Sequence, residues 1–240
     1  MKVAMFVTCL VDQFRPQIGL ATMEVLRRAG CEPSFDVRQT CCGQPAFNSG
    51  YHDEAQTVAR HAIEVFEDAE AIVLPSGSCT AMTRHWPELF AEDPHWLERA
   101  AKVASRCHEL SSFLVRTLGH TQFGASYDAK VSWHDACHGL RDLGLKSEPR
   151  ALLSDVMGLE LIEDDGAERC CGFGGSFSVK FPELSVAMLD RKLESLESAG
   201  VKAVISSDVS CLMQIEGRLA RRQSPLRTLH LAEVLAGTAT

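Results

Sequence analysis

Thr40-Cys41-Cys42-Gly43-Gln44-Pro45 and, later in the chain, Arg169-Cys170-Cys171-Gly172-Phe173-Gly174 are the stretches that decide the fold. A pair of adjacent cysteines followed by glycine occurs twice, 129 residues apart. Two further cysteine pairs keep almost the same interval: Cys9 and Cys137 are separated by 128 positions, Cys79 and Cys211 by 132. Each half therefore carries Cys, a gap of 31 or 32 residues, Cys-Cys-Gly, a gap of 36 or 39, then Cys. The flanks agree: Ala71-Ile72-Val73-Leu74-Pro75-Ser76-Gly77-Ser78-Cys79 corresponds to Ala203-Val204-Ile205-Ser206-Ser207-Asp208-Val209-Ser210-Cys211, and Ala29-Gly30 to Met157-Gly158. Self-similarity at a fixed offset marks a repeated structural unit, so the four-cysteine pattern is one unit kept twice.

The rest of the composition is that of a globular protein. The chain has 240 residues, 45% hydrophobic and 23% charged, which excludes disordered and fibrous classes. With 24 basic and 32 acidic residues, the net charge of −8 provides no attraction for nucleic acid or an anionic membrane. No apolar run approaches the roughly 18 residues of a membrane-spanning helix. Met1–Cys9 reads as a first strand and lacks the features of a signal peptide, so a cytoplasmic chain is expected. Ten cysteines are then too many for packing alone, and a disulfide framework is not expected in a reducing compartment.

Strands alternate with helices in both halves, which predicts an α/β fold of two tandem domains, 1–120 and 121–240, each a small, mainly parallel sheet flanked by helices. In the first half, Val3–Thr8, Pro33–Arg38 and Ala71–Leu74 are expected strands, and Pro16–Ala29 and Asp53–Ala69 expected helices. The second half repeats this with strands at Lys130–His134, Glu160–Glu163 and Lys202–Ser206 and helices at Glu148–Met157 and Pro182–Ala199. A long helix, Pro94–Leu118, is expected to join the copies, although Thr117–Ser126 reads equally as a linker. Cys107 falls on the apolar stripe of that helix, and Cys31 has Leu159 as its repeat-mate; both read as packing residues. Of the remaining eight, Cys9, Cys79, Cys137 and Cys211 each come just after a strand, where ligands of parallel sheets gather.

Four thiols including an adjacent pair leave three readings open. Structural zinc usually draws its ligands from C-x₂₋₄-C knuckles, which are missing here, and two adjacent cysteines meet one tetrahedral ion only with backbone strain. Thiol redox chemistry through a disulfide within the adjacent pair is strained for the same reason. An iron–sulfur cluster is the best fit, because neighbouring thiolates can bind different irons. Gly43 and Gly172 then allow positive φ and close backbone approach to a bulky cluster.

Beyond the cysteines, Cys9-Leu10-Val11-Asp12, Thr40–Gly50, Pro75-Ser76-Gly77-Ser78-Cys79, His134–Arg141 and Arg169–Lys180 carry a resemblance. The double pattern resembles the CCG cysteine-rich domain of heterodisulfide reductase and of related iron–sulfur proteins, including those of glycolate and glycerol-3-phosphate dehydrogenases. More closely, and over nearly the whole chain, it is similar to the lactate utilisation protein A family. That resemblance implies an iron–sulfur electron-transfer subunit, not catalytic alone, of a three-protein system oxidising L-lactate to pyruvate. The implied partners are an iron–sulfur ferredoxin-like protein and a third small subunit. The implied ligands are Cys9, Cys41, Cys42 and Cys79 for one cluster and Cys137, Cys170, Cys171 and Cys211 for the other. The full CCG motif ends in Cys-x-x-Cys, but here those last positions are Met82 and Gln214. Four thiols per repeat suit an ordinary 4Fe–4S cluster, up to one per repeat, and put a five-cysteine noncubane cluster in doubt.

Other residues are candidates by position. His134 and His138 flank Cys137, and either ring can hydrogen-bond a cluster sulfur or simply face solvent. The Gly172-Phe173-Gly174-Gly175-Ser176 loop lacks the order of a dinucleotide or P-loop fingerprint and is expected to wrap the cluster with its N–H groups. Pro16 and Thr80 are expected to open helices whose positive ends face the site. Arg141 and Lys180 are candidate nearby charges, and Asp164-Asp165 reads as a turn.

Overall fold

A computed structural model describes residues 1–239. In the first half, strands β1 (Lys2–Met5), β2 (Glu32–Phe35), β3 (Ile72–Leu74) and β4 (Cys107–Glu109) alternate with helices α1 (Cys9–Phe14), α2 (Pro16–Arg28), α3 (Gln44–Asn48), α4 (His52–Phe66), α5 (Gly77–Leu89), α6 (Pro94–Ala104) and α7 (Leu110–Ser112), the last continuing as a π turn to Thr117. The second half has β5 (Ser126–Trp133), β6 (Met157–Leu161), β7 (Ala203–Ser206) and β8 (Arg227–His230), with α8 (Cys137–Arg141), α9 (Ser147–Ser154), α10 (Ser176–Lys180), α11 (Pro182–Ser198), α12 (Val209–Arg222) and α13 (Leu231–Ala236). The two sheets have the same order, β2-β1-β3-β4 and β6-β5-β7-β8, with every pairing parallel. The expected duplicated α/β architecture is therefore the observed one.

Local sequence accounts for the main elements. β3 and β7 are buried along their whole length and read as continuous apolar runs, whereas edge strand β2 is mostly exposed. α2 opens with Pro16 at its first position and stops at Gly30, whose φ of +79° lets Cys31 N–H reach back to the Leu26 carbonyl. The duplication extends to packing. α4 buries Ala55, Ala59, Ala62, Ile63 and Phe66, and α11 buries Ser185, Leu189, Lys192, Leu193 and Leu196, the same stripe displaced by 130 residues.

The expected helix Pro94–Leu118 is not continuous. It ends at Ala104, and Cys107–Glu109 instead pairs in parallel with Ile72–Leu74 as the edge strand β4. Helical geometry resumes at Leu110, so the apolar spacing across 97–118 spans two helical segments and a strand. Cys107 remains a packing residue, fully buried within the cluster around Trp86 and Phe66. Its structural mate, β8, and the terminal helix α13 were not expected either. α13 crosses to the first half, where Leu231 and Leu235 join Val25, Leu26 and Leu114 in a core that both halves share.

The carboxyl ends of the two sheets meet. Ser78 N–H donates to the carboxylate of Asp208 at 2.8 Å, and His230 donates from Nε2 to the Pro75 carbonyl at 3.2 Å while its Nδ1 accepts from Ala232. A Cβ on Gly77 would lie 3.2 Å from the Gly139 Cα, so the first turns of α5 and α8 pass backbone against backbone. Arg15 and Glu216 form an ion pair between the halves. Asp208 is 1% exposed, and replacing it by Ala strands the buried Ser78 N–H. We expect Asp208→Ala to lose about 2 kcal/mol in urea unfolding and Asp208→Asn, which keeps an acceptor, to lose less. An unchanged unfolding midpoint in Asp208→Ala would show that the halves dock without this contact.

Candidate metal centre

In each sheet the two central strands lead to opposite edges: β1 connects outward to β2, and β3 to β4. Such a switch point opens a crevice at the strands' carboxyl ends, and the cysteines occupy it. Cys9 opens α1 directly after β1, and Cys79 lies in the first turn of α5 after β3. Cys137 and Cys211 take the same places in α8 and α12, after β5 and β7. α5 begins at Gly77 and not at Thr80: the Ser76 hydroxyl caps it by accepting from Cys79 N–H at 3.3 Å. Pro16 opens α2 as expected.

The Cys-Cys-Gly loops come in from the side. Gly43 and Gly172 have φ of +91° and +80°, and a Cβ on Gly172 would lie 2.5 Å from the Ser185 carbonyl oxygen. These turns return each glycine N–H to a sulfur two residues earlier, at 3.5 Å for Cys41 and 3.3 Å for Cys170. Such N–H groups stabilise anionic sulfur. Trp86 holds the first loop through its indole N–H to the Cys42 carbonyl, 3.0 Å. The second is braced by Gln214, which donates to Ser185 Oγ at 2.8 Å while that hydroxyl donates to the Gly172 carbonyl at 2.7 Å.

All eight cysteines line one cavity of about 430 Å³ between the halves, together with Gly174, Gly175 and Val179 of the glycine-rich loop and the start of α10. A larger open groove near Tyr127, Lys202 and Arg227 lies at the opposite ends of the second sheet and contains no cysteine. His138 also lines the cavity, with its Nδ1 paired to Asp142 at 2.6 Å. Arg141 and Lys180 are exposed and form no ion pair among the described residues. Asp164 accepts from Gly166 N–H and the Ser132 and Ser195 hydroxyls, the hydrogen bonding of a structured turn.

The sulfurs crowd one another, with Cys9 and Cys41 Sγ 3.6 Å apart and Cys171 and Cys211 Sγ 3.1 Å apart. In each set one thiol gains the charge. Hydrogen bonds from Cys42 and Cys9 hold Cys41 well below the usual thiol range, and those from Cys137 and Cys171 do the same for Cys170. Their neighbours move the other way: Cys9, Cys42, Cys137 and Cys171 are raised first by hydrogen bonding to that sulfur, Cys42 and Cys171 next by hydrogen bonds with Cys79 and Cys211, and all four by burial and thiolate repulsion. A bound cation would relieve this repulsion and release the remaining protons.

The donor set also speaks to the size of that cation. A tetrahedral zinc with bonds of about 2.3 Å draws its four sulfurs to within about 3.8 Å of one another. Among the described residues neither quartet places even three sulfurs within 4.8 Å of one another. The all-thiol donors and the glycine N–H groups fit a sulfur-ligated metal centre in each half. One group does close to 4.8 Å: His134, Cys171 and Cys211. His134 is fully buried with both ring nitrogens unpartnered.

The eight cysteines singled out from the sequence come together on one cavity and the two glycines turn their N–H groups to sulfur, but sequence reasoning missed Asp208, whose contact joins distant halves, and Lys192. A lysine on the otherwise apolar stripe of α11 was the available signal for the latter.

The CCG cysteine-rich domain family matches residues 3–84 and 131–216. Lactate utilization protein A of Bacillus subtilis is 48% identical over 98% of this chain and 99% of its own length. Those of an Exiguobacterium species and of Halalkalibacterium halodurans are 49% and 48% identical, each over 98% of this chain and 96% of its own. Among solved structures, a Yersinia pestis chain provisionally called an Asp/Glu racemase covers 99% of this chain and 96% of its own at 14% identity and a TM-score of 0.36, too low to carry an argument.

Alkylation of metal-free protein under anaerobic conditions tests the thiol environments. Cys107 is buried with its pKa pushed up to about 12 by desolvation, and Cys31 is also raised by burial. Since the thiolate is the nucleophile, Cys41 and Cys170 should react at least roughly tenfold faster than Cys31 and Cys107. Equal rates would contradict the assignment.

Proposed function

The chain belongs to the lactate utilization protein A family of CCG cysteine-rich proteins, and from that membership we propose that it is the iron–sulfur electron-transfer subunit of a system oxidising L-lactate to pyruvate. The observation that supports this most is the meeting of two complete thiol quartets on a single cavity. Cys9, Cys41, Cys42 and Cys79 would hold one 4Fe–4S cluster, and Cys137, Cys170, Cys171 and Cys211 the other. Bound there, such clusters supply one-electron redox chemistry.

The protein's own part is to bind, shield and tune. Helix starts and glycine N–H groups offset the negative charge of the sulfur ligands, and Phe173 and Val179 cover part of the cavity. Met82 is buried and Gln214 braces Gly172 through Ser185, so the positions of the fifth CCG cysteine have packing and hydrogen-bonding roles instead. The sequence contains no flavin or nicotinamide fingerprint. In this reading lactate is oxidised on a partner, and the family resemblance supplies a ferredoxin-like iron–sulfur protein and a third small subunit for that complex. No helix among the described residues is long and apolar enough to cross a membrane, which is compatible with the cytoplasmic site of action we propose.

A second reading has one observation in its favour. His134, Cys171 and Cys211 lie close enough to share a single zinc ion, which would give the second half a structural role.

Quantifying iron, acid-labile sulfide and zinc in anaerobically purified protein separates the two. We expect about four irons and four sulfides per half, with Cys42→Ser and Cys171→Ser each losing roughly half of the total. Zinc without labile sulfide, even after reconstitution, would overturn the electron-transfer role.

A further inference from the structure

The two halves share a fold and a cysteine pattern, yet the walls behind their thiols differ in kind. Directly after β1, the first half has Phe6, fully buried with its ring centroid 4.9 Å from Phe66 and 6.4 Å from Trp86. Directly after β5, the second half has His134. The two are structural equivalents, since Phe6 N–H donates to the Val73 carbonyl of β3 and His134 N–H to the Ile205 carbonyl of β7. On the helix packed behind each Cys-Cys-Gly loop, the buried stripe places Lys192 where the first half has Ala62, and Ser185 where it has Ala55. At the fifth-cysteine position the first half has Met82 and the second Gln214. Four apolar residues around one site are thus replaced by polar or charged ones around the other.

Lys192 is fully buried. Its ammonium donates to the carbonyls of Gly166 and Ala167, at 2.8 and 3.3 Å; burial lowers its pKa, and Cys171 and Cys211 are among the neighbouring charges that oppose that shift. His134 lies within 4.8 Å of those same two sulfurs with unpartnered ring nitrogens.

Reducing a cluster adds negative charge to its site. An apolar wall penalises that charge, whereas a buried cation and a hydrogen-bond donor stabilise it. We propose that the two centres are electrostatically unequal, and that Lys192 and His134 act as positioning residues that set the second centre at the higher reduction potential. Charge entering either centre then comes to rest at the second: the first is oxidised by one electron as the second is reduced by one, with no bond made or broken. The inference rests on the cluster reading above, and adds which half is the accepting end.

The test is a mediated redox titration of the anaerobic protein followed by electron paramagnetic resonance, with iron and sulfide measured on the same samples. Two midpoint potentials are expected in the wild type, the upper lost in Cys171→Ser and the lower in Cys42→Ser. Lys192→Met should shift the upper reduction equilibrium at least tenfold against reduction, about 59 mV for one electron, and leave the lower unmoved. His134→Phe, which restores the first-half residue, should shift it in the same direction with iron content retained. Iron and sulfide present with the two potentials equal, in reversed order or unmoved by these variants would overturn this inference alone. Absence of iron in the wild type would overturn the cluster reading and this inference with it. If Lys192→Met does not fold, the order of the potentials in the two cysteine variants still decides.

Discussion

Four thiols held at the carboxyl ends of two adjacent parallel strands is the arrangement on which the rest of the molecule depends. Buried sulfur cannot carry several negative charges side by side in a low-dielectric crevice without a compensating cation. The protein concentrates its resources there: helix starts after β1, β3, β5 and β7, glycine turns that return N–H groups to sulfur, and a cap on α5 from Ser76. The sheets themselves are minimal, with strands of three to five residues apart from β5. They are long enough to set the switch point and to carry the packing that keeps it closed.

Duplication gives the arrangement its second property. Each quartet is open on one side, and docking the two copies turns the open sides toward each other. Polar contacts between the halves include Ser78 to Asp208, Pro75 to His230, Ser49 to Ser176, Arg15 to Glu216 and Arg116 to Glu148, with Gly77 and Gly139 allowing close backbone approach. The shared apolar core beneath α2 and α13 supplies area without direction, so these polar contacts fix the orientation. One cavity with eight thiols results, in place of two separate surface sites.

The duplication, the ligand candidates and the alternation of strands and helices were legible because each is local or periodic. The constant offset between the two Cys-Cys-Gly motifs is visible without any structure, and so are the glycines that their turns need. β4 was not legible. Cys107-His108-Glu109 is too short to show a period of two, and its strand character comes from pairing with Ile72–Leu74, more than thirty residues away. β8 escaped for the same reason. The common cavity also depends on contacts such as Ser78 with Asp208, which join residues 130 positions apart. The buried histidine and lysine behind the second quartet lay in between: each stands against an apolar repeat-mate, but only the structure shows that His134 lies beside Cys171 and Cys211 and that Lys192 is buried on the carbonyls of Gly166 and Ala167.

The most direct test of the central claim is an iron K-edge X-ray absorption spectrum of anaerobically purified protein. The account requires iron coordinated by sulfur, with iron–iron scattering, diminished but not abolished when either Cys42 or Cys171 is replaced by serine. A sample whose metal is zinc, or whose iron shows no iron neighbour, would contradict it.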